Sequence, residues 1–338
     1  MSKRVIKIRF QNGLSLEGFN KEVFDLYDLT SVYQFEESTD PDFIVFGPYG
    51  NDVPCKGNYV RIGYFCENIK PDLSVCEWAF GIPREQEIGY PNYTRIQWHG
   101  INPKLLIKPA SYDPEKILAS KTGFCNFLYS NKVWYREAFF KRLCEYKKVD
   151  APGISMNNMP GIDPVAGDRW ATKRQFLSAY KFTIAFENDI YPGYQTEKLY
   201  DAMMADSIPI YCGDPYIGDI FNTKSFINAA EYLPSKNLRL IKKLTQLGQM
   251  DFNDIRPAFF NAPNSRLKRK MKSYIRAAKA KLQFARMSFA PLVNQVIALD
   301  TNPGLYMQYL EQPWLKNNAV PENLSARKRW MEIFDTLK

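Results

Sequence analysis

Alternation of large and small side chains marks the clearest element of the chain, a strand over residues 181–187. Its large apolar positions are Phe182, Ile184 and Phe186, and this period-two pattern predicts a buried strand. The run ends at Glu187, and a polar segment with a Pro-Gly pair follows it. A loop is therefore expected directly after the strand.

A helix is predicted after this loop, from about Glu197 to Asp206, because Thr196 is a suitable N-cap. Ile208–Tyr211 then predicts a second strand. A strand, a loop, a helix and a strand in this order gather polar side chains at the carboxyl edge of a parallel sheet. Because α/β folds bind ligands at that edge, we expect a binding site here.

Short strand candidates also alternate with loops over residues 1–110. They are Val5–Phe10, Phe43–Phe46, Tyr59–Phe65, Trp78–Ile82 and Tyr93–Gln97. A length of 338 residues exceeds one ordinary domain, so two α/β domains are predicted, at residues 1–115 and 116–255. Residues 256–338 are expected to form a helical C-terminal region.

Composition and cysteine spacing narrow the class of protein. The apolar fraction of 45% is enough for full cores, and no run approaches the roughly 18 apolar residues of a membrane-spanning helix. The start of the chain resembles a strand more than a signal peptide. The 6 cysteines form no Cys-x-x-Cys pair and His99 is the single histidine, which argues against a zinc site. We therefore expect a cytoplasmic location, with the cysteines as free thiols.

Positive charge is concentrated in one segment of the chain. The net charge is +9, and residues 255–299 contain Lys and Arg but no acidic residue. Apolar side chains recur there at spacings of three and four, which predicts one face of a helix over residues 264–286. These positions are Leu267, Met271, Tyr274, Ala278, Leu282 and Ala285.

Three roles fit a basic helix of this kind. In the first, the apolar face packs against the helix's own domain. In the second, the helix lies on an anionic membrane surface, at the inner membrane face of the cell. In the third, it binds nucleic acid. No recognised nucleic-acid module accompanies the charge, so no nucleic-acid partner is expected.

A cation stands in the first turn of the predicted helix after Thr196. Lys198 opposes the helix dipole there, unless an anion occupies the helix N-terminus, which also attracts phosphate. The neighbouring Glu197 carries oxygens that can accept hydrogen bonds from ribose hydroxyls. The alternative is a solvated helix start at which both side chains are exposed. The residue types alone fit both interpretations.

Three blocks of sequence point to a known family. Residues 185–198 read AFENDIYPGYQTEK, residues 208–213 read IPIYCG and residues 224–228 read KSFIN. This order resembles the donor-site signature of the α-1,3-fucosyltransferases, family ten of the glycosyltransferases. Residues 61–81, RIGYFCENIKPDLSVCEWAFG, resemble a second block of that family, and residues 129–140, YSNKVWYREAFF, resemble a third, weaker one.

The resemblance implies a GT-B fold, in which two Rossmann-like α/β domains face a cleft and the second domain binds the nucleotide sugar. The implied reaction is inverting transfer of L-fucose from GDP-fucose to a glycan acceptor that contains N-acetylglucosamine, of the N-acetyllactosamine type. An α-1,3 linkage and a Lewis-type product are implied, with no cofactor besides the donor substrate. The alternatives are another metal-independent GT-B transferase with a different nucleotide sugar, and a non-catalytic glycan- or membrane-binding protein of the same fold.

The resemblance also implies which residues contact the donor. They are Arg136, Glu187, Asn188, Tyr194, Glu197 and Lys198. Arg136 and Lys198 correspond to contacts of the donor phosphates, since cations neutralise a leaving diphosphate. Tyr194 corresponds to a position near the diphosphate and Glu197 to the ribose contact, while Asn188 is expected to orient the loop or the nucleotide. Two alternatives remain: Arg136 as an exposed helix residue paired with an acid, and Glu187 as a structural carboxylate that caps neighbouring N–H groups.

An inverting transfer also needs a base for the acceptor hydroxyl. The family implies a carboxylate of the first domain, shortly after the strand that ends in Gly81. Glu85 is the first choice and Glu87 the second, because the family's usual Phe-Asp pair is absent and the alignment slips slightly. His99 is a further candidate, although a His-Gly pair after a strand is typical of a turn.

A metal could replace cationic side chains at the diphosphate. Asp40 and Asp42 form an Asp-x-Asp sequence, but Pro41 between them and a strand directly after them indicate a turn. No metal site is therefore expected.

Overall fold

The computed structural model of the protein describes residues 3–162, 169–232, 238–284, 287–322 and 326–336. The chain divides into two compact units. The first consists of Met1–Asn102, Lys242–Ala278 and Pro321–Lys338, and the second of Pro103–Ile241 and Lys279–Val320. Within the described ranges, no helix combines the length and the apolar character needed to cross a membrane.

Strands in the first unit form one six-stranded parallel sheet and one two-stranded pair. In chain order the strands are β1 (Arg4–Gln11), β2 (Tyr33–Glu37), β3 (Phe43–Phe46), β4 (Val60–Phe65), β5 (Ile69–Lys70), β6 (Trp78–Gly81) and β7 (Tyr93–Arg95). The sheet has the order β2-β1-β3-β4-β6-β7. The five predicted strands are confirmed to within two residues, whereas β2 and β5 are additional.

The second unit has its own parallel sheet. Its strands are β8 (Gly123–Asn126), β9 (Val149–Asp150), β10 (Tyr180–Phe186), β11 (Ile208–Cys212) and β12 (Ile227–Asn228). The last strand of the chain, β13 (Met250–Asp251), belongs to the first unit, where it forms the two-stranded pair with β5. The order is β12-β11-β10-β8-β9, with Phe182 opposite Ile208. The apolar side chains of β10 are buried as predicted.

Helices connect these strands and make up most of the chain after β13. They are α1 (Leu16–Phe19), α2 (Glu85–Ile88), α3 (Pro114–Ser120), α4 (Trp134–Cys144), α5 (Arg169–Ser178), α6 (Glu197–Met204), α7 (Leu238–Gly248), α8 (Phe252–Ile255), α9 (Pro257–Phe260), α10 (Pro263–Phe284), α11 (Ala290–Thr301), α12 (Pro303–Glu311) and α13 (Arg327–Phe334). A π-helical turn, Asn20–Phe24, continues α1.

The predicted helical region 256–338 is not a unit of its own, and the first boundary lies at Asn102 and not at 115. The physical reason is burial of aromatic side chains. Trp330 of α13 stacks on Phe80 of the first unit, with ring centroids 4.2 Å apart. Tyr306 of α12 is buried in the second unit, where its hydroxyl donates to the backbone oxygen of Lys181 at 2.9 Å. The C-terminal helices are therefore divided between the two cores.

Helix α10 exposes its predicted apolar row to solvent, contrary to the prediction that this row packs against the helix's own domain. The apolar row predicted to pack on its own domain is exposed, with Leu267, Met271 and Tyr274 each more than half accessible to solvent. Lys272 is buried instead, and its Nζ lies 2.7 Å from an oxygen of Asp251 and 2.5 Å from one of Asp254. These two carboxylates offset the cost of burying the ammonium group, which explains why a lysine faces the core. Leu282 is also exposed, and the predicted position Ala285 lies outside the described residues.

Candidate active site

A buried carboxylate organises the carboxyl edge of the second sheet. Glu187 follows β10 and has no exposed surface. One of its oxygens accepts the backbone N–H of Thr196 at 2.8 Å, and the other accepts the Thr196 hydroxyl at 2.7 Å. Glu187 therefore has the structural role that was one of its two predicted alternatives. Thr196 is the N-cap of α6 as predicted, but its hydroxyl binds Glu187 and does not cap the helix backbone.

The glycine after β11 leaves room for this carboxylate. A Cβ atom added to Gly213 would lie 2.6 Å from Cγ of Glu187 and 2.3 Å from the hydroxyl oxygen of Tyr211. The Tyr211 hydroxyl in turn accepts the backbone N–H of Asp214 at 2.8 Å. A side chain at position 213 would therefore displace Glu187, Tyr211 or both.

Lys198 joins the same cluster from the first turn of α6. Its Nζ donates to the Thr196 hydroxyl at 2.8 Å and lies 3.3 Å from one oxygen each of Glu187 and Glu197. Burial alone would lower the pKa of Lys198, but the two carboxylates raise it above its ordinary value. Burial raises the pKa of Glu187, an effect that the charge of Lys198 opposes. Only 14% of the Lys198 side chain is exposed, so the alternative of a solvated helix start is wrong.

Glu197 is held by cations on two helices. Besides Lys198, it faces Lys173 of α5, whose Nζ lies 3.9 Å from Glu197 and 2.7 Å from Asp201. Burial opposes ionisation of Glu197, but Lys198 and Lys173 together hold its pKa below the ordinary value. A charged, partly exposed carboxylate at a helix N-terminus can accept hydrogen bonds from a ligand's hydroxyl groups.

Arg136 of α4 is completely buried, so the alternative of an exposed helix residue paired with an acid is wrong. Its guanidinium donates to the backbone oxygens of Phe186 at 3.1 Å and Asn131 at 2.7 Å. It also donates to the side-chain oxygen of Asn188 at 3.0 Å, and it lies over the Tyr129 ring at 3.6 Å. These contacts fix the start of the loop after β10. The predicted contact with a donor phosphate stays a prediction.

The loop over residues 188–195 presents the remaining predicted residues. Asn188 is exposed, and Tyr194 is half-buried, with its backbone N–H bonded to the oxygen of Tyr191 at 3.0 Å. Gly193 between them has φ of 86°, which suits glycine. At the end of the loop, the Gln195 amide donates to Asp214 at 2.7 Å. Asn188, Tyr194, Glu197 and Lys198 therefore lie along one loop and the helix start that follows it.

The segment that contains this loop and the start of α6 resembles a known protein family. Residues 118–253 match the family model described as "Glycosyltransferase family 10 (fucosyltransferase) C-term". That segment is similar to the C-terminal part of the glycosyltransferase family 10 proteins. It is 38% identical over 113 residues to the alpha-(1,3)-fucosyltransferase FucT of Helicobacter pylori, and 34% identical over 139 residues to the putative fucosyltransferase R654 of Acanthamoeba polyphaga mimivirus. These matches cover 33% and 40% of this chain, and 22% of the length of each relative.

A solved structure extends the likeness to the whole fold. The crystal structure of an alpha1,3-fucosyltransferase with GDP-fucose matches with a TM-score of 0.61 and 21% sequence identity. The match covers 99% of this chain and 91% of that one. The predicted fold class, α/β of the GT-B type, is thereby confirmed.

The candidate bases of the first unit lie beyond the carboxyl ends of β6 and β7. Glu85 begins α2 and is exposed, and one of its oxygens accepts the backbone N–H of Arg95 at 2.8 Å. Glu87, in the same short helix, is half-buried. The structure thus gives Glu85 a defined position at the sheet edge, but both assignments stay predictions.

His99 and the Asp-x-Asp sequence lie elsewhere in the first unit. Nδ1 of His99 is 3.2 Å from the Tyr64 hydroxyl and its Nε2 is 3.7 Å from Glu22. Burial lowers the pKa of His99, and the negative charge of Glu22 opposes this shift. Asp40 lies in the bend before β3, as expected for a turn. Among the described residues, no group of three or more His, Cys, Asp or Glu side chains is arranged to hold a metal ion.

Sequence reasoning missed several partners of the predicted residues. They are Lys173, Asp201, Asp214, Lys279 and the hydroxyl of Thr196, which donates to Glu187. Lys173 and Asp201 lie 28 positions apart in the chain but form an ion pair at 2.7 Å. Such long-range partners leave no periodic signal in the sequence.

Proposed function

We propose that the protein transfers L-fucose from GDP-fucose to a hydroxyl group of a glycan that contains N-acetylglucosamine, forming an α-1,3 linkage with inversion. The observation that carries the proposal is the bonded cluster of Glu187, Thr196 and Lys198 at the sheet edge. It lies inside the segment that matches the fucosyltransferase family. The Helicobacter pylori relative supports the α-1,3 linkage by its name. An N-acetyllactosamine acceptor and a Lewis-type product are the finer parts of this proposal.

On the donor side, Lys198 would neutralise the diphosphate as the bond to fucose breaks, since its ammonium is charged and already fixed in position. Glu197 would accept hydrogen bonds from the ribose hydroxyls. Tyr194 would lie against the diphosphate. Arg136 would act on the phosphates or, through Asn188, on the loop that encloses them. No cofactor is required in this scheme besides the donor itself.

On the acceptor side, a carboxylate would accept the hydroxyl proton while the oxygen attacks the anomeric carbon and GDP leaves. Glu85 is the first candidate and Glu87 the second. A base of this kind contributes about 10²–10⁴-fold to the rate. The bond formed is the new glycosidic bond, the bond broken joins fucose to the diphosphate, and the proton passes to the carboxylate.

A donor screen tests the proposal. Purified protein is mixed with N-acetyllactosamine and, separately, with GDP-fucose, GDP-mannose, a UDP-sugar or a CMP-sugar. We expect product only with GDP-fucose, with the linkage assigned by NMR. Product with a different nucleotide sugar would support the alternative transferase. Absence of both transfer and donor hydrolysis with every sugar would support a non-catalytic glycan- or membrane-binding protein.

The same proposal includes a location in the cytoplasm, at the inner face of the membrane. Its support is the outward row of α10 in the first unit, Leu267, Met271 and Tyr274, flanked by the exposed cations Arg266 and Lys270. An apolar row with cations beside it is complementary to an anionic lipid surface. Nucleic acid is not proposed as a partner.

Co-sedimentation with vesicles tests this location. We expect binding to phosphatidylglycerol vesicles, weakening as salt screens the charges, and little binding to phosphatidylcholine vesicles. The double variant Leu267→Ser and Met271→Ser should lose binding, whereas Ile154→Ser, which alters an exposed apolar residue outside the row, should not. Equal sedimentation of all three proteins would contradict the membrane proposal and leave the transferase proposal intact.

A further inference from the structure

One buried lysine contacts the loop over residues 188–195, which we call the donor loop. Lys279 of α10 is 1% exposed. Its Nζ donates to the backbone oxygen of Ile190 at 2.9 Å and lies 2.6 Å from Oδ1 of Asp189. Both acceptors directly follow Asn188 in the loop, and all of these residues belong to the second unit.

The donor loop is held at its two ends by other contacts. At its start, Arg136 donates to the backbone of Phe186 and the side chain of Asn188. At its end, Gln195 donates to Asp214. Lys279 contacts the segment between these ends, directly after Asn188.

Stability alone gives no reason for a lysine at this position. Removing an ammonium group from water costs several kcal/mol, and apolar residues of similar volume often replace a buried ion pair at no loss of stability. An apolar side chain at position 279 could fill the same space, but it would leave the Ile190 oxygen and the Asp189 carboxylate without this donor. What the lysine supplies is a specific geometry of the loop.

We infer that Lys279 is a positioning residue, which holds the donor loop in the conformation that binds the nucleotide sugar. The inference rests on the proposed function, because it takes this loop to contact the donor. Lys279 acts through Asp189 and Ile190 and does not itself reach the ligand. Its effect should therefore fall on donor affinity, with the acceptor unaffected.

The helix offers a matched control. Lys272 is also a buried lysine of α10, and it is also bonded to carboxylates, but its partners Asp251 and Asp254 belong to the first unit and lie outside the donor loop. Lys279→Met and Lys272→Met thus make the same chemical change on the same helix, and only the first one releases the donor loop.

The test measures GDP affinity by calorimetry, KM for GDP-fucose and for the acceptor, and hydrogen–deuterium exchange of the loop amides. We expect Lys279→Met to weaken GDP binding and raise KM for GDP-fucose roughly tenfold, the scale of losing one charged hydrogen bond. Exchange over residues 189–195 should accelerate, while the acceptor KM stays within about twofold. Lys279→Arg should restore part of the affinity, and Asp189→Asn should reproduce part of the loss.

Lys272→Met is expected to change the melting temperature without changing loop exchange or GDP affinity. If Lys279→Met leaves both quantities as in the wild type, or if Lys272→Met changes them equally, the inference is overturned. If Lys279→Met fails to fold, Asp189→Asn replaces it in the same measurements, because this change alters a partly exposed side chain. Unchanged loop exchange and unchanged GDP affinity in Asp189→Asn would then overturn the inference. Hydrogen–deuterium exchange of the loop amides can be measured without a ligand, so it tests the role of Lys279 even if the protein does not bind GDP. Failure of the wild type to bind GDP would contradict the proposed function and not the role of Lys279 in holding the loop.

Discussion

The carboxyl edges of the two sheets differ in how their charged side chains are held. In the second unit, Glu187 and Arg136 are fully buried and Lys198 nearly so, and each has at least two polar partners in the protein. In the first unit, Glu85 is exposed and its carboxylate accepts one backbone N–H, while Glu87 is half-buried. One edge is a fixed array of charges, and the other presents accessible carboxylates.

This difference fits the two halves of a transfer reaction. Burying charges is costly, but a cluster that is paired in advance needs no reorganisation when charge develops on a leaving group. A base that removes a proton from an acceptor hydroxyl has to be accessible to that acceptor, and an exposed carboxylate meets this need. The contrast therefore predicts separate effects: changes at the edge of the first sheet should alter transfer, and changes at the edge of the second should also alter donor binding.

The largest expected effect is that of Glu85→Gln. Transfer should fall about 10²–10⁴-fold, the contribution of a positioned base, because the amide cannot accept the proton. GDP affinity, measured by calorimetry, should stay within a few-fold of the wild type. Loss of GDP binding in this variant would break the contrast between the two edges.

Further substitutions test whether Glu85 is the base and whether the two edges act separately. If Glu87→Gln abolishes transfer and Glu85→Gln does not, the base is Glu87. If neither matters, His99 is the next residue to replace. Glu197→Gln belongs to the other edge, and it should weaken GDP binding by about tenfold, since it loses charged hydrogen bonds to ribose.

Lys198→Ala should reduce kcat by about 10²–10³-fold, the scale for losing one group that stabilises the transition state. Because the pKa of Lys198 is raised above its ordinary value of 10.5, its deprotonation should not limit activity below that pH. Lys141→Ala, at an exposed lysine of α4, is the control for loss of a cation from the same unit. Near wild-type activity of the Lys198 variant would exclude the phosphate assignment.

Much of the second sheet's edge was predictable because its elements are local in sequence. The alternation around Phe182 and the N-cap at Thr196 predict β10 and the start of α6, and the structure confirms both. The roles of the charged residues were harder to predict from the sequence. Arg136 was expected at the surface in one alternative, yet it is buried. Two of its three hydrogen-bond partners are backbone oxygens, which carry no sequence signal.

Helix α10 illustrates the same limit more strongly. Its periodicity correctly predicts that Leu267, Met271 and Tyr274 share a face, but not which face is buried. That choice depends on acids supplied by other parts of the chain, Asp254 for Lys272 and Asp189 for Lys279. Because ion pairs between distant positions decide the orientation, periodicity within the helix does not contain the answer.

A smaller effect is expected from Gly213→Ala. The new Cβ would lie 2.6 Å from Cγ of Glu187, so the carboxylate that holds Thr196 has to shift. We expect a loss of ~1–3 kcal/mol in the free energy of unfolding, as for overpacked sites, together with weaker GDP binding. Gly161→Ala is the control, because a Cβ there has no neighbouring atom within 4 Å. Equal melting temperatures of the two variants would contradict the crowding argument.

The smallest expected effect is that of EDTA. If Lys198 and its neighbours neutralise the diphosphate, chelation should leave most of the activity, because no divalent ion takes part in stabilising the leaving group. The measurement compares transfer rates with EDTA, without it, and after later addition of Mn²⁺. Complete loss that Mn²⁺ restores would assign the neutralisation to a metal. Asp40 and Asp42 would then become the residues to replace, and the fixed charges at the edge of the second sheet would be needed for donor orientation and not for departure of GDP.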